Sequence, residues 1–278
     1  MRLAPPSLAP AALPVPDEHL RSSFAWRYYY SAESTFSRRA VRHVRHHRIE
    51  WAVHLLRGLA PLGSGALLLD VGCGPGESTA ILQREVGPFR RIVGLDISDG
   101  FGPLYRALTA ANGVAAEYVR GTCLALPVAD ASASLIVSFE MVEHVPEWQR
   151  FLRESARALE PGGVLLVSTP HATGLHAWLK RPYRWAKGFE RLNRAFREDG
   201  DFYERFLPRD ELAAGLREAG LEEAGIALGC HTLTRTPDRL LPLNVAYERA
   251  LESRGWLPGA SVTTFIAARR PAPRLPGP

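Results

Sequence analysis

The chain has 278 residues, enough for one sizeable α/β domain with additions and too few for two large ones. Its 34 Lys and Arg outweigh 29 Asp and Glu for a net charge of +5, but only Lys180 and Lys187 are lysines, so arginine-rich compositional bias explains the excess as well as an anionic partner would, and no nucleic-acid partner is expected. Cys73, Cys123 and Cys230 form no C-x-x-C pair, no apolar run approaches the ~20 residues of a membrane span, and the N-terminus lacks the order of a signal peptide, so a reducing, cytoplasmic setting is expected.

Residues 1–17 hold five prolines without a sustained period and read as a mobile arm. From His19 to Leu59 the pattern is helical, as two helices broken near Ser31, and residues 18–62 form an N-terminal helical cap. Phe24, Trp26 and Tyr28-Tyr29-Tyr30 are dense in aromatics; they either pack on the sheet edge or face a bound cofactor or acceptor. The run from Arg38 to Arg48 is strongly basic and reads as a solvated helix face rather than an anion site. His43, His46 and His47 offer i, i+3 or i+4 pairs, but no carboxylate or cysteine joins them, so no metal site is expected there.

Leu67–Ile81, LLLDVGCGPGESTAI, is the stretch around which the chain is organised. Its first five residues suit a strand buried on both faces. Gly72, Gly74 and Gly76 then permit positive φ and close approach of a ligand, and Glu77 opens a helix. The pattern is not the G-x-G-x-x-G of dinucleotide binding. The acid Asp70 at the strand tip would repel a pyrophosphate and favour a ligand with ammonium or sulfonium charge.

A second buried strand, Arg91–Asp96, ends in an acid at the carboxyl edge, where open α/β sheets bind ligands. Such a carboxylate can accept both hydroxyls of a ribose. A helix over Tyr105–Asn112 follows, then strands Ala115–Arg120 and Leu135–Phe139, a helix over Pro146–Leu159, and, after Pro161-Gly162-Gly163, a fifth strand Val164–Ser168. Alternating strands and helices imply a doubly wound parallel sheet.

In this order LLLDVGCGPG, VGLDIS, GTCLALPVADASASLIVSFEMVEHV and RALEPGGVLLVSTP resemble the class I S-adenosylmethionine (SAM)-dependent methyltransferases, in particular the small-molecule branch that includes the ubiquinone-biosynthesis-type O-methyltransferases. The resemblance covers about Leu67 to Pro170, with a looser echo at 206–224. It implies a seven-stranded, mostly parallel Rossmann-like α/β sheet whose last strand, Val262–Ala268, runs antiparallel after a sixth, Leu221–Leu228, and a helix over Leu240–Arg254. It implies SAM as methyl donor and S-adenosylhomocysteine as product. By position, Asp70, Gly72, Cys73, Gly74 and Gly76 would hold the methionine half, Asp96 the ribose and Ile97 the adenine face. Thr122 and Cys123 would flank the adenine edge, and Phe139 and Glu140 would line the pocket. Two positions depart from the pattern: Thr122 stands where an acid is usual, and Ala133-Ser134 replaces the usual Phe-Asp.

Residues 171–203 are long for a crossover. Trp178, Tyr183, Trp185, Phe189, Leu192 and Phe196 recur mostly three or four apart between basic residues, which reads as an amphipathic lid over the acceptor, with peripheral membrane contact through 178–197 as a weaker reading. Residues 18–270 are thus expected to be one methyltransferase domain and 271–278 a tail. Transfer from a sulfonium is an in-line displacement, helped by a base when the acceptor is a hydroxyl. His144 and His171, beyond strands four and five, are the candidate bases, and Tyr30 could orient a small-molecule acceptor. Rival readings are a SAM-binding regulator without catalysis and a nucleic-acid methyltransferase. The second is disfavoured by the absence of an Asn/Asp-Pro-Pro-aromatic motif after strand four.

Overall fold

A computed structural model describes residues 5–32, 38–59, 66–173, 204–232, 236–255 and 258–272. The N-terminal helices are α1 (Glu18–Ser22), α2 (Phe24–Tyr30) and α3 (Arg39–Arg57), followed by β1 (Leu67–Val71), α4 (Glu77–Glu85), β2 (Arg91–Asp96), α5 (Gly102–Ala111) and β3 (Glu117–Arg120). The second half runs β4 (Ala133–Phe139), α6 (Trp148–Ala158), β5 (Leu159–Pro170), α7 (Arg209–Glu218), β6 (Glu222–Gly229), α8 (Leu241–Arg254) and β7 (Thr263–Arg269).

The strands form one seven-stranded sheet in the order β3-β2-β1-β4-β5-β7-β6. β1 pairs in parallel with β2 and β4, β2 with β3 and β4 with β5, while β7 lies antiparallel between β5 and β6. This is the doubly wound, mostly parallel arrangement expected, with the last strand reversed. Strand side chains alternate between two cores, as a period of two requires. Leu67, Leu69, Val71, Val93, Leu95, Ile136 and Val167 pack with Trp148, Phe151 and Leu152 of α6 and Leu212 and Leu216 of α7. Leu68, Ile92, Leu135, Val137, Leu166 and Phe265 pack with Trp51, Leu55 and Leu56 of α3 and Ile81 and Leu82 of α4. With helices on both faces, β1 needs no polar side and is buried throughout.

Three sequence readings change. The helical cap breaks at Ser23 as well as after Tyr30, because the Ser23 hydroxyl accepts from the Trp26 amide and caps α2. β5 begins at Leu159 rather than after the Pro161-Gly162-Gly163 turn, since Gly162 donates to the Arg270 carbonyl and Arg270 donates to that of Gly163. The arm is not free of the domain over its described part. Leu8 donates to Glu50 (2.7 Å), Ala12 exchanges hydrogen bonds with Asn112 (both 2.9 Å), and Leu8 and Ala11 pack against the α3 core. Residues 174–203 lie outside the described residues, so the lid and the membrane contact through 178–197 fall there. No described helix is long and apolar enough to cross a membrane.

Phe151 is fully buried between α6 and the sheet. Truncation by Phe151→Ala should cost about 3–5 kcal/mol. In urea, that loss appears as a lower unfolding midpoint with an unchanged slope.

Candidate functional site

The carboxyl ends of β1, β2, β4 and β5 lie along one edge of the sheet, and the candidate site is built there. After Val71 the chain turns through Gly72, Gly74 and Gly76 at φ of +74°, +50° and +88°, values that glycine adopts without strain. The turn is tied to the neighbouring strand. Gly72 and Cys73 donate to the Leu95 carbonyl, and the Gly74 amide donates to Asp96 Oδ2 at 3.0 Å. Asp96 Oδ1 accepts from Ser98 (3.0 Å). Burial raises the Asp96 carboxyl above its ordinary pKa despite these backbone donors. Beside it Ile97 is 75% exposed, an apolar side chain left open next to a buried acid.

Asp70 is buried beneath the turn, where its Oδ2 accepts from Ser78 Oγ (2.7 Å) and Thr79 Oγ1 (2.6 Å) of α4. Oδ1 is buried without a hydrogen-bond partner. Burial, against the pull of those two hydroxyls, lifts the Asp70 pKa to about 6. Helices α2 and α3 cover the turn. The Tyr29 hydroxyl lies 3.4 Å from where a Cβ on Gly74 would sit. Arg45 reaches in from α3, stacking its guanidinium 4.3 Å over the Tyr29 ring and donating to Glu77 Oε2 at 2.5 Å. Glu77, the first residue of α4, also accepts from the Tyr30 hydroxyl (2.6 Å). Burial alone would lower the Arg45 pKa, but Glu77 and the two tyrosines raise it overall. Arg45 Nη1 is buried and has no hydrogen-bond partner.

Beyond β4, Phe139 packs against the α3 core and Glu140 takes a left-handed φ of +50°. Glu140 is held there by Arg48 of α3 (3.0 Å) and by the Ser168 hydroxyl (3.2 Å). Glu143 is buried and accepts from Thr169 Oγ1 (3.2 Å); burial and the nearby Glu140 hold its carboxyl well above the usual range. His144 is half exposed, with Nε2 3.9 Å from Glu143 Oε1. His171 is pinned to the loop before β7: Nδ1 lies 2.8 Å from Ser261 Oγ and Nε2 3.2 Å from Thr173 Oγ1. Burial lowers its pKa. Thr122 is exposed and accepts locally from the Leu124 amide, while Cys123 packs onto the α6 core.

The edge therefore brings Asp70, the three glycines, Asp96, Ile97, Glu140 and His144 to one rim. Tyr30 differs from its expected place: its hydroxyl is committed to Glu77, and the tyrosine over the turn is Tyr29. The basic helix is solvated only on one side, where Arg38, Arg39 and Arg42 are exposed. Arg45 and Arg48 point inward to Glu77 and Glu140, and the histidines do meet carboxylates. His47 Nδ1 lies 2.6 Å from Glu50 and Nε2 2.8 Å from Glu252, His43 lies 2.7 Å from Glu248, and His46 lies 3.4 Å from Glu50. Burial works against a charge on His47, yet Glu252 and Glu50 raise its pKa to about 10. Glu50 was available as a signal, standing three and four residues after His47 and His46; Glu248 and Glu252 are some 200 residues away and were not.

The donor set suits an amino-acid-bearing nucleoside. An unpartnered buried acceptor (Asp70 Oδ1) and an unpartnered buried donor (Arg45 Nη1) flank a glycine turn, with the strand-tip acid Asp96 and the open apolar side chain of Ile97 alongside.

Comparison with known proteins agrees. A family model described as a methyltransferase domain matches residues 69–167. A probable S-adenosylmethionine-dependent methyltransferase of Mycolicibacterium smegmatis is 32% identical over 172 residues, 60% of this chain and 55% of that protein, so the chain spans little more than half that relative's length. A ubiquinone biosynthesis O-methyltransferase of Bordetella avium is 30% identical over 187 residues, 64% of this chain and 70% of that protein. Among solved structures, a geranyl diphosphate methyltransferase in complex with SAM superposes with a TM-score of 0.58 at 18% identity, over 86% of this chain and 92% of that one. With its glycine turn, strand-tip acids and reversed seventh strand in place, the chain belongs to the class I S-adenosylmethionine-dependent methyltransferases.

Proposed function

We propose that this protein transfers the methyl group of SAM to a small-molecule acceptor, with oxygen favoured as the atom methylated. The observation that carries the reading is the pair of unpartnered buried atoms at the glycine turn. Asp70 Oδ1 is an acceptor suited to the ammonium of the cofactor's methionine half, and Arg45 Nη1 a donor suited to its carboxylate. Asp96 would accept the ribose hydroxyls, Ile97 would pack on the adenine, and Thr122 and Cys123 would lie at its edge. Gly72, Cys73 and Gly74 would line the cradle, with Gly76 fixing the start of α4. The names of relatives, among them the Bordetella avium O-methyltransferase, support oxygen and a small acceptor.

When bound, SAM supplies a methyl group activated by sulfonium charge. The protein's part is to align the acceptor, exclude water and receive a proton. Tyr29 and α2 close the turn from above, and Phe139 and Glu140 bound the rim. His144 is the better placed base: half exposed at the end of β4, with Glu143 behind it. His171 has both ring nitrogens engaged, and it serves better to hold the β7 loop than to take a proton. The Tyr30 hydroxyl holds Glu77 and shapes the cap rather than touching the acceptor.

Calorimetric titration with SAM and S-adenosylhomocysteine tests the reading; a folded chain that binds neither would overturn it. Replacing Asp96 by Ala removes the charged acceptor and should weaken SAM at least tenfold; unchanged affinity would remove the ribose assignment.

Affinity should also depend on pH. Below about 6 the Asp70 carboxyl holds a proton that a cationic group must displace, so SAM should bind more tightly as pH rises from 5 to 6.5, with protons released on binding. A flat profile across that window would exclude contact of Asp70 with the ammonium.

With an acceptor found by mass-spectrometric detection of methyl gain, His144→Gln should lower kcat by about 10²-fold or more and leave KM for SAM near its original value. A variant with full kcat would dismiss His144 as base.

A further inference from the structure

Helix α3 presents His43 and His47 one turn apart, and the facing helix α8 presents Glu248 and Glu252 one turn apart. The two pairs meet. His43 Nε2 lies 2.7 Å from Glu248 Oε2, and His47 Nε2 lies 2.8 Å from Glu252 Oε2 and 3.9 Å from Glu248 Oε2. Ligand atoms of His47, Glu248 and Glu252 all lie within 4.8 Å of one another, and all three residues are buried.

The remaining atoms of these side chains are held by other groups. Glu248 Oε1 accepts from the amides of His231 (2.7 Å) and Thr232 (2.9 Å). Glu252 Oε1 accepts from Trp51 Nε1 and the Cys230 amide, both at 3.1 Å, and lies 3.4 Å from His231 Nδ1. His47 Nδ1 lies 2.6 Å from Glu50. One oxygen of each carboxylate and one nitrogen of His47 are thus fixed from behind, leaving Oε2, Oε2 and Nε2 to converge. Metal sites are built in this way, with an outer carboxylate or backbone donor orienting each inner ligand. In a tetrahedral site with bonds of about 2.0–2.1 Å the ligand atoms stand roughly 3.3 Å apart, so small side-chain adjustments would bring the three atoms into range.

We propose that His47, Glu248 and Glu252 bind a divalent first-row transition ion, for which zinc is the first probe, with the fourth position open to water. One imidazole and two carboxylates match that class of ion rather than magnesium or calcium, which favour oxygen alone. His43 retains 18% side-chain exposure and provides the route of entry. Binding is an exchange: the ion takes the place of the protons now shared between imidazole and carboxylate, and two carboxylates balance its charge. No bond is made or broken in a substrate. The ion would fasten α8 and the segment after β6 to α3, the helix whose Arg45 and Arg48 reach the sheet's carboxyl edge.

The test uses the full chain, stripped with a chelator, then titrated with zinc by calorimetry and elemental analysis. One ion per chain is expected, with a rise in Tm of about 5 °C at a hundredfold excess over Kd. Cobalt substitution should give the visible bands of a nitrogen and oxygen site without thiolate charge transfer, which separates this site from one using the buried Cys230. His47→Gln with Glu252→Gln should abolish binding. The milder Glu248→Gln, near in shape and verified as folded by circular dichroism, should weaken it at least tenfold. A folded wild-type chain that takes up neither zinc nor cobalt overturns the proposal, as does stoichiometric binding that survives these substitutions or shows a thiolate band.

Discussion

The structure depends on how the inner face of α3 is neutralised. Arg45, His47 and Arg48 all turn inward, and a buried charge is tolerable only when paired and hydrogen-bonded. Each finds its partner on a different element: Glu77 on α4, Glu252 on α8, and Glu140 after β4. Removing one member of such a pair leaves an uncompensated charge, at a penalty of about 3–5 kcal/mol, although the pair as a whole adds little stability over an apolar replacement. These contacts therefore act mainly on geometry. They fix where α3 lies, and with it the aromatic helix α2 that roofs the glycine turn.

The carboxyl edge of the sheet lies beneath that roof. The parallel strands bring Asp70 and Asp96 to neighbouring tips, and the Gly74 amide links turn and acid directly. Two carboxyls are kept in low-dielectric surroundings, where burial raises both pKa values. Such a site is costly in its free form and gains most from a ligand that carries positive charge and hydroxyls. The left-handed Glu140, restrained by Arg48 and Ser168, extends the same control to the end of β4. Strain of this kind persists where surrounding contacts over-determine it, which is common beside functional sites.

How much could be read in advance varied with the range of the contacts. β1, β2 and the glycine turn were legible because their signals are local: an apolar run, an acid, and three glycines within five residues. The reversal of β7 came from family resemblance rather than from periodicity. The cap is less legible, because its partners lie far along the chain. A run of arginines and histidines looks like a solvated face until Glu248 and Glu252 arrive from about 200 residues away, and Tyr29 cannot be told from Tyr30 by spacing. The contacts of the proline-rich arm are hidden similarly, since its hydrogen bonds at Leu8 and Ala12 use main-chain groups that carry no side-chain signature.

The long reach of the α3–α8 pairing also bears on how the chain is made. His47 and Glu252 are separated by 205 positions, so a growing chain exposes α3 long before its last partner exists. Arg45 meets Glu77 early, whereas Arg48 waits for Glu140, and His43 and the Nε2 of His47 wait for α8. The helix that fixes the roof is synthesised before each of these partners and is among the last to be fully paired. The order of synthesis and the order of pairing thus differ across this fold: the roof helix precedes the sheet in the chain, yet its last partners come only with α8, just before the strand β7 that closes the sheet.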